Sequence, residues 1–150
     1  MKQEDLLRAA YLRAIAVDYA KHFIGTPYHW GGDDFSGFDC SGLIVEILQG
    51  VGILPHGRDY SAHDLYTIFK TAAVAIGYAG CVVFYLGPAG RAAHVVMMMD
   101  DSLAIGADGG GSGTITTEDA IAQNAWVKLR PIDYRKGLRI IVDPFKGVVA

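Results

Sequence analysis

The order of hydrophobic periods along the chain predicts an α+β domain, with helices first and an antiparallel meander second. Apolar residues recur at three- and four-residue intervals in the first third of the sequence. From residue 81 onward the pattern changes to short β-rich runs separated by turn signals. Composition agrees: 51% hydrophobic and 19% charged residues, with 19 Gly and 5 Pro in 150 residues, exclude a disordered tail, a collagen-like repeat and a coiled coil. The length suits one domain over residues 1–150, able to bury roughly 68–70% of its unfolded surface, so neither disulfide nor metal is required for folding.

Leu6, Ala10, Ala14, Val17, Ala20 and Ile24 share the helical period, with Arg8, Arg13, Asp18 and Lys21 falling elsewhere, and predict a helix over about residues 4–22. Gly25 and Pro27 stop it, and five glycines from Gly25 to Gly42 predict a long, specifically shaped loop. Leu43, Ile44, Ile47 and Leu48 form one stripe of a second helix that begins close to Cys40 and ends at Gly50 or Gly52. A short helix is expected at 61–70. The runs CVVFYL, AHVVMMM and SLAIGA read as consecutive antiparallel strands. Thr116 and Asp119 have the spacing of a capping box before the helix TEDAIAQN, and WVKLR and LRIIV close the sheet.

Sixteen acidic against thirteen basic residues give a net charge of −3, and no Lys/Arg block exceeds two residues, which argues against nucleic acid or a polyanionic membrane surface as partner. No run approaches the ~20 apolar residues that span a bilayer. Glu4 and Asp5 stand where an export signal would carry positive charge, so no export signal is expected in the sequence as given. The two cysteines, Cys40 and Cys81, are too few for a disulfide scaffold and lack zinc-site spacing.

Cys40 follows a glycine-rich loop and opens a helix, where free backbone N–H groups and the helix dipole favour an anion and would make a thiolate nucleophilic at neutral pH. A small buried residue is the equal alternative. Among the five histidines, His94 is the best candidate base: it opens an apolar strand on the same face as Val96 and Met98, and a polar ring there needs a partner. His22 lies on the polar face of the first helix, and His29, His56 and His63 fall in loop or turn context, where a solvated role is the default. Together, Cys40 and His94 match the logic in which imidazole takes a thiol proton.

The run GTPYHWGGDDFSGFDCSGLIVEIL, residues 25–48, resembles the nucleophile motif of the NlpC-like bacterial cell-wall peptidases: Gly-x-x-Tyr-x-x-Gly-Gly, a short spacer, then Asp-Cys-Ser-Gly-Leu or Phe. Gly80 to Leu86 followed by His94 is similar to the family's next two strands, and the resemblance spans about residues 12–130. It implies a papain-like fold, with the nucleophile helix packed on an antiparallel sheet of about five or six strands. It further implies that Cys40 is the nucleophile, His94 the general base, Tyr28 the tyrosine beside the oxyanion site, and Asp39 a holder of the substrate's free amino end. Asp39 has an equally direct reading as a helix N-cap. Ser41 belongs with the substrate-binding positions, although beside Gly42 it reads first as helix geometry.

The chain departs from the pattern at two positions. Gly80-Cys81 replaces the usual Gly-Asp, with Cys81 expected as a buried strand residue. The third catalytic position, about twelve residues after the histidine, falls on Gly106, which has no side chain to orient an imidazole. Asp108, two residues on, would share that strand face if the strand continues and is expected to accept the Nδ1 proton; a turn Asp before Gly109 is the alternative. The implied activity is hydrolysis of peptidoglycan stem peptides, in this family mostly between γ-D-glutamate and the diamino acid, without metal or cofactor. Alternatives are a binding module that grips wall peptide without cutting it, or an amidase or acyltransferase of the same superfamily. The segment IGADGGGSGTITTEDAIAQNAWVKLRPI looks similar to stand-alone members from phages and prophages. Virion delivery to the wall, with phage tail proteins as partners, is therefore expected, or else export of a longer form since trimmed.

Overall fold

A computed structural model describes residues 2–146. The first helix, α1, covers Gln3–Lys21, with Glu4 and Asp5 in its first turn and Lys21 in its last, matching the helix dipole. Its buried face is Ala9, Ala16, Val17 and Ala20: Val17 and Ala20 belong to the stripe expected from spacing, whereas Ala10, Ala14, Leu6 and Ile24 are exposed, the last two by 53% and 48%. Apolar and charged residues are both spread around the helix, so periodicity does not single out one face; small alanines turn inward, where the backbone approaches its neighbours closely.

The glycine-rich loop after α1 contains a two-residue hairpin, β1 (Asp33–Asp34) and β2 (Gly37–Phe38), which the sequence pattern did not announce. Helix α2 (Cys40–Gly50) is buried along Leu43, Ile44, Ile47 and Leu48. It is tied to α1 where the Tyr19 hydroxyl donates to Glu46 Oε1 at 2.8 Å. Helix α3 (Ala62–Phe69) starts with a reciprocal Ser61–Asp64 capping box and runs into a 3₁₀ turn at Lys70–Ala72.

Five strands follow: β3 (Val82–Leu86), β4 (Ala92–Met98), β5 (Leu103–Asp108), then helix α4 (Thr117–Gln123), β6 (Trp126–Pro131) and β7 (Arg139–Val142). The expected Thr116–Asp119 capping box opens α4. The sheet order is β6-β5-β4-β3-β7, antiparallel throughout. Alternation divides the sheet into two packed faces. Val82, Phe84, Val95, Met97, Ile105 and Val127 join the core with the helices, while Cys81, Val83, Tyr85, Val96, Met98 and Ala104 form a second cluster with Tyr134 and Ile132. Cys81 is fully buried, immediately before β3, and both cysteines are free. Among the described residues, no helix is long and apolar enough to cross a membrane.

The end of the sheet is locked to α1 by one buried carboxylate. Asp143 accepts from Arg13 Nε and from the second guanidinium nitrogen at 2.7 Å, from the Tyr78 hydroxyl at 2.6 Å and from the Phe145 N–H at 2.9 Å. Burial works to raise its proton affinity, but the donors from Arg13 and Tyr78 hold the carboxyl below its usual value. The stabilisation is thus complete above the unfolded-state value and is lost as pH falls through the folded one. Asp143→Ala is expected to destabilise the fold by about 3 kcal/mol, because it leaves a half-buried guanidinium unpaired. Thermal melting at neutral pH checks this; an unchanged melting temperature would contradict it.

Candidate active site

The site is built where the start of α2 meets the ends of β4 and β5. Asp39 caps α2, its Oδ1 accepting the Gly42 N–H at 2.7 Å and the Ser41 hydroxyl at 3.3 Å, while Oδ2 accepts the Gly31 N–H at 3.0 Å. The loop presses so closely on this turn that a Cβ on Gly42 would lie 2.0 Å from the Gly32 carbonyl oxygen, so only glycine fits. Cys40, the first helical residue, is half-buried at the edge of the core. Tyr28 is buried beside it, held by its N–H to the Ala125 carbonyl at 3.0 Å and by Gly110, whose missing Cβ makes room for the ring.

His94 is 6% exposed and pairs across the ladder with Tyr85. Between the Tyr85–His94 and Leu86–Ala92 pairs the register shifts, leaving Ala93 as an extra residue; bulges of this kind re-aim side chains next to active sites. Met98 pairs with Ala104 and Met97 with Ile105, and this register, continued, sets Gly106 beside Val96 and Asp108 opposite His94. A side chain at 106 would collide with Val96 Cγ1, at 2.6 Å from its Cβ. The carboxylate two residues later is the one in reach: Asp108 Oδ1 lies 2.8 Å from His94 Nε2, with both residues buried. The shared strand face is therefore as expected, but the ring nitrogen is not. Nε2, not Nδ1, meets Asp108.

Tyr134, in the turn after β6, completes the group. Its hydroxyl lies 2.9 Å from His94 Nε2 and donates to Asp108 Oδ1, and Arg130 sits 5.1 Å over its ring. The sequence offered no signal for it, since the residue lies in an irregular segment and meets His94 only through the fold. His63 was also missed: it lies in α3 rather than in a loop, and its Nδ1 accepts the Ala92 N–H at 3.2 Å. Tyr28, Asp39, Cys40, Ser41, His94 and Asp108 all line one cleft of about 540 Å³.

The electrostatics follow from these contacts. Burial alone would lower the His94 imidazole, but the hydrogen bond to Asp108, the nearby Cys40 and the charge of Asp108 outweigh this and raise it to about 9. Burial would raise Asp108, yet the His94 contact and the Tyr134 donor hold it below the usual carboxylate range. Burial, with Cys40 and Asp39 nearby, pushes the Tyr28 phenol well up, so its hydroxyl stays a proton donor. Among the described residues, no group of three or more His, Cys, Asp or Glu is arranged to hold a metal ion.

A helix that opens on a cysteine, packed on an antiparallel sheet whose strand presents a histidine, is a papain-like α+β arrangement. The chain belongs to the NlpC/P60 family, whose model matches residues 25–130. A probable endopeptidase of Mycobacterium tuberculosis is 46% identical over 82 residues, 45% of this chain and 21% of that protein. The peptidoglycan endopeptidase RipB of the same species is 31% identical over 118 residues, 67% of this chain and 46% of its own length. These matches thus span less than half of either relative. The crystal structure of the NlpC/P60 domain of the peptidoglycan hydrolase SagA superposes with a TM-score of 0.60 at 26% identity, covering 87% of this chain and 97% of that domain.

Proposed function

We propose that this chain is a cysteine endopeptidase of peptidoglycan stem peptides, cutting between γ-D-glutamate and the diamino acid. The observation that carries the reading is the buried His94–Asp108 pair lining the same cleft as Cys40. His94, whose proton affinity is raised, takes the proton of the Cys40 thiol. The Cys40 sulfur attacks the scissile carbonyl carbon. The oxyanion that forms is met by backbone N–H groups at the start of α2 and by the Tyr28 hydroxyl. His94 then passes its proton to the leaving amine, and a water deprotonated by His94 hydrolyses the thioester and restores the thiol. Asp108 orients and charges the imidazole. Asp39, whose oxygens keep lone pairs beyond its capping bonds, accepts the substrate's free ammonium, with Ser41 beside it.

The relatives' names as endopeptidases and peptidoglycan hydrolases support the substrate class. The binding-module alternative drew on Gly106; an Asp108 bonded to His94 favours the endopeptidase reading over it. Delivery by a virion, with tail proteins as partners, is the finer reading of location, supported by the phage-like segment around α4. Mass spectrometry of purified peptidoglycan fragments after incubation tests the activity. New termini at the γ-D-glutamyl to diamino acid bond are expected, and intact stems with released glycan or a transferred acyl group would contradict it.

The rate should also report the ion pair. Imidazolium is the working form, so kcat/KM is expected to stay high through neutrality and fall as pH rises through about 9, where His94 loses its proton. A profile already falling near 6.5, the ordinary histidine value, would contradict the assignment.

A further inference from the structure

The cleft is electrically divided. On the α2 side the cleft is lined by Asp39 and Asp59; burial raises the proton affinity of Asp39, and the nearby charge of Asp59 adds to it. On the His94 side the cleft is lined by Arg91, three residues before His94, and Arg135, next to Tyr134. The Arg135 guanidinium lies 5.9 Å from the centre of the Tyr85 ring, whose residue is the ladder partner of His94. Neither arginine has an ion-pair partner among the described residues, unlike Arg13, which is fixed on Asp143. Two uncompensated guanidinium groups at the mouth of a reaction cleft are a recognition device for a planar anion, since each offers forked N–H donors matched to a carboxylate.

Their position assigns the anion to one side of the scissile bond. His94 protonates the leaving amine, so the leaving fragment lies on the histidine side, whereas the acyl fragment with its ammonium lies toward Asp39. We infer that Arg91 and Arg135 form a subsite for a free carboxylate on the residue that departs as the amine, making the enzyme selective for stem peptides whose diamino acid is not amidated. This rests on the endopeptidase reading and adds a specificity to it.

The test uses two synthetic stem peptides, L-Ala-γ-D-Glu-diamino acid-D-Ala, in which the diamino acid is a diamino dicarboxylic acid, identical except that its side-chain carboxyl group is free or is the carboxamide. The wild-type protein is expected to favour the free acid by about tenfold or more in kcat/KM, mainly through KM, with the preference shrinking at high salt because both arginines are exposed. In the Arg91→Ala Arg135→Ala double variant the two peptides should be cut with kcat/KM values within about twofold of each other. Equal cleavage of both peptides by the wild type would overturn the subsite and leave the endopeptidase reading standing, as would a preference that the double variant retains. Cleavage of neither would overturn both.

Discussion

Cys40→Ala is expected to abolish cleavage, lowering kcat by roughly 10⁴ or more, while the protein stays folded. The change removes one sulfur atom from a half-buried position at the first turn of α2, where Asp39 still caps the helix through the Gly42 N–H. Loss of function without loss of fold is the signature of a nucleophile. Cys81 supplies the control, since it is the other thiol and lies fully buried in the second cluster of the sheet. Cys81→Ala should keep its activity and lose only about 1 kcal/mol of stability from the small void. Equal inactivation of both variants, with both still folded, would show that no single thiol carries the reaction.

The second large effect is expected at Asp108. Its Oδ1 receives both His94 Nε2 and the Tyr134 hydroxyl, so Asp108→Ala removes the acceptor that fixes the ring and leaves two buried donors competing for each other. A fall in kcat of roughly 10²–10⁴ is expected, with KM little changed. Because the Asp108 hydrogen bond and charge help to raise His94 to about 9, the alkaline limb of kcat/KM should also move to lower pH. A variant with wild-type rate and profile would mean that Tyr134 alone holds the imidazole.

Much of this site could be read along the chain. The helix opening at Cys40 follows from the glycine-rich loop and the apolar stripe beyond it, and His94 follows from alternation within a strand. Asp108 was reached by the same alternation, because a straight strand keeps residues 94, 96 and 98 of β4 on the face shared by 104, 106 and 108 of β5. What escaped the sequence depends on tertiary placement. Which imidazole nitrogen meets the carboxylate depends on how the ring is packed in three dimensions, and Tyr134 enters from a turn with no period of its own. Part of the buried face of α1 escaped for a different reason: apolar and charged residues are spread around the helix, so the spacing caught Val17 and Ala20 but not Ala9 and Ala16, and packing decided the rest.

The proposed mechanism requires His94, held by Asp108, to take the proton of the Cys40 thiol. The rate at which an uncharged alkylating reagent modifies Cys40 at neutral pH, followed by peptide mass spectrometry in the wild type and in His94→Ala, tests it most directly. Modification in the wild type is expected to be roughly tenfold or more faster than in His94→Ala, with Cys81 untouched in the folded protein. Equal Cys40 rates in the two proteins would contradict the mechanism.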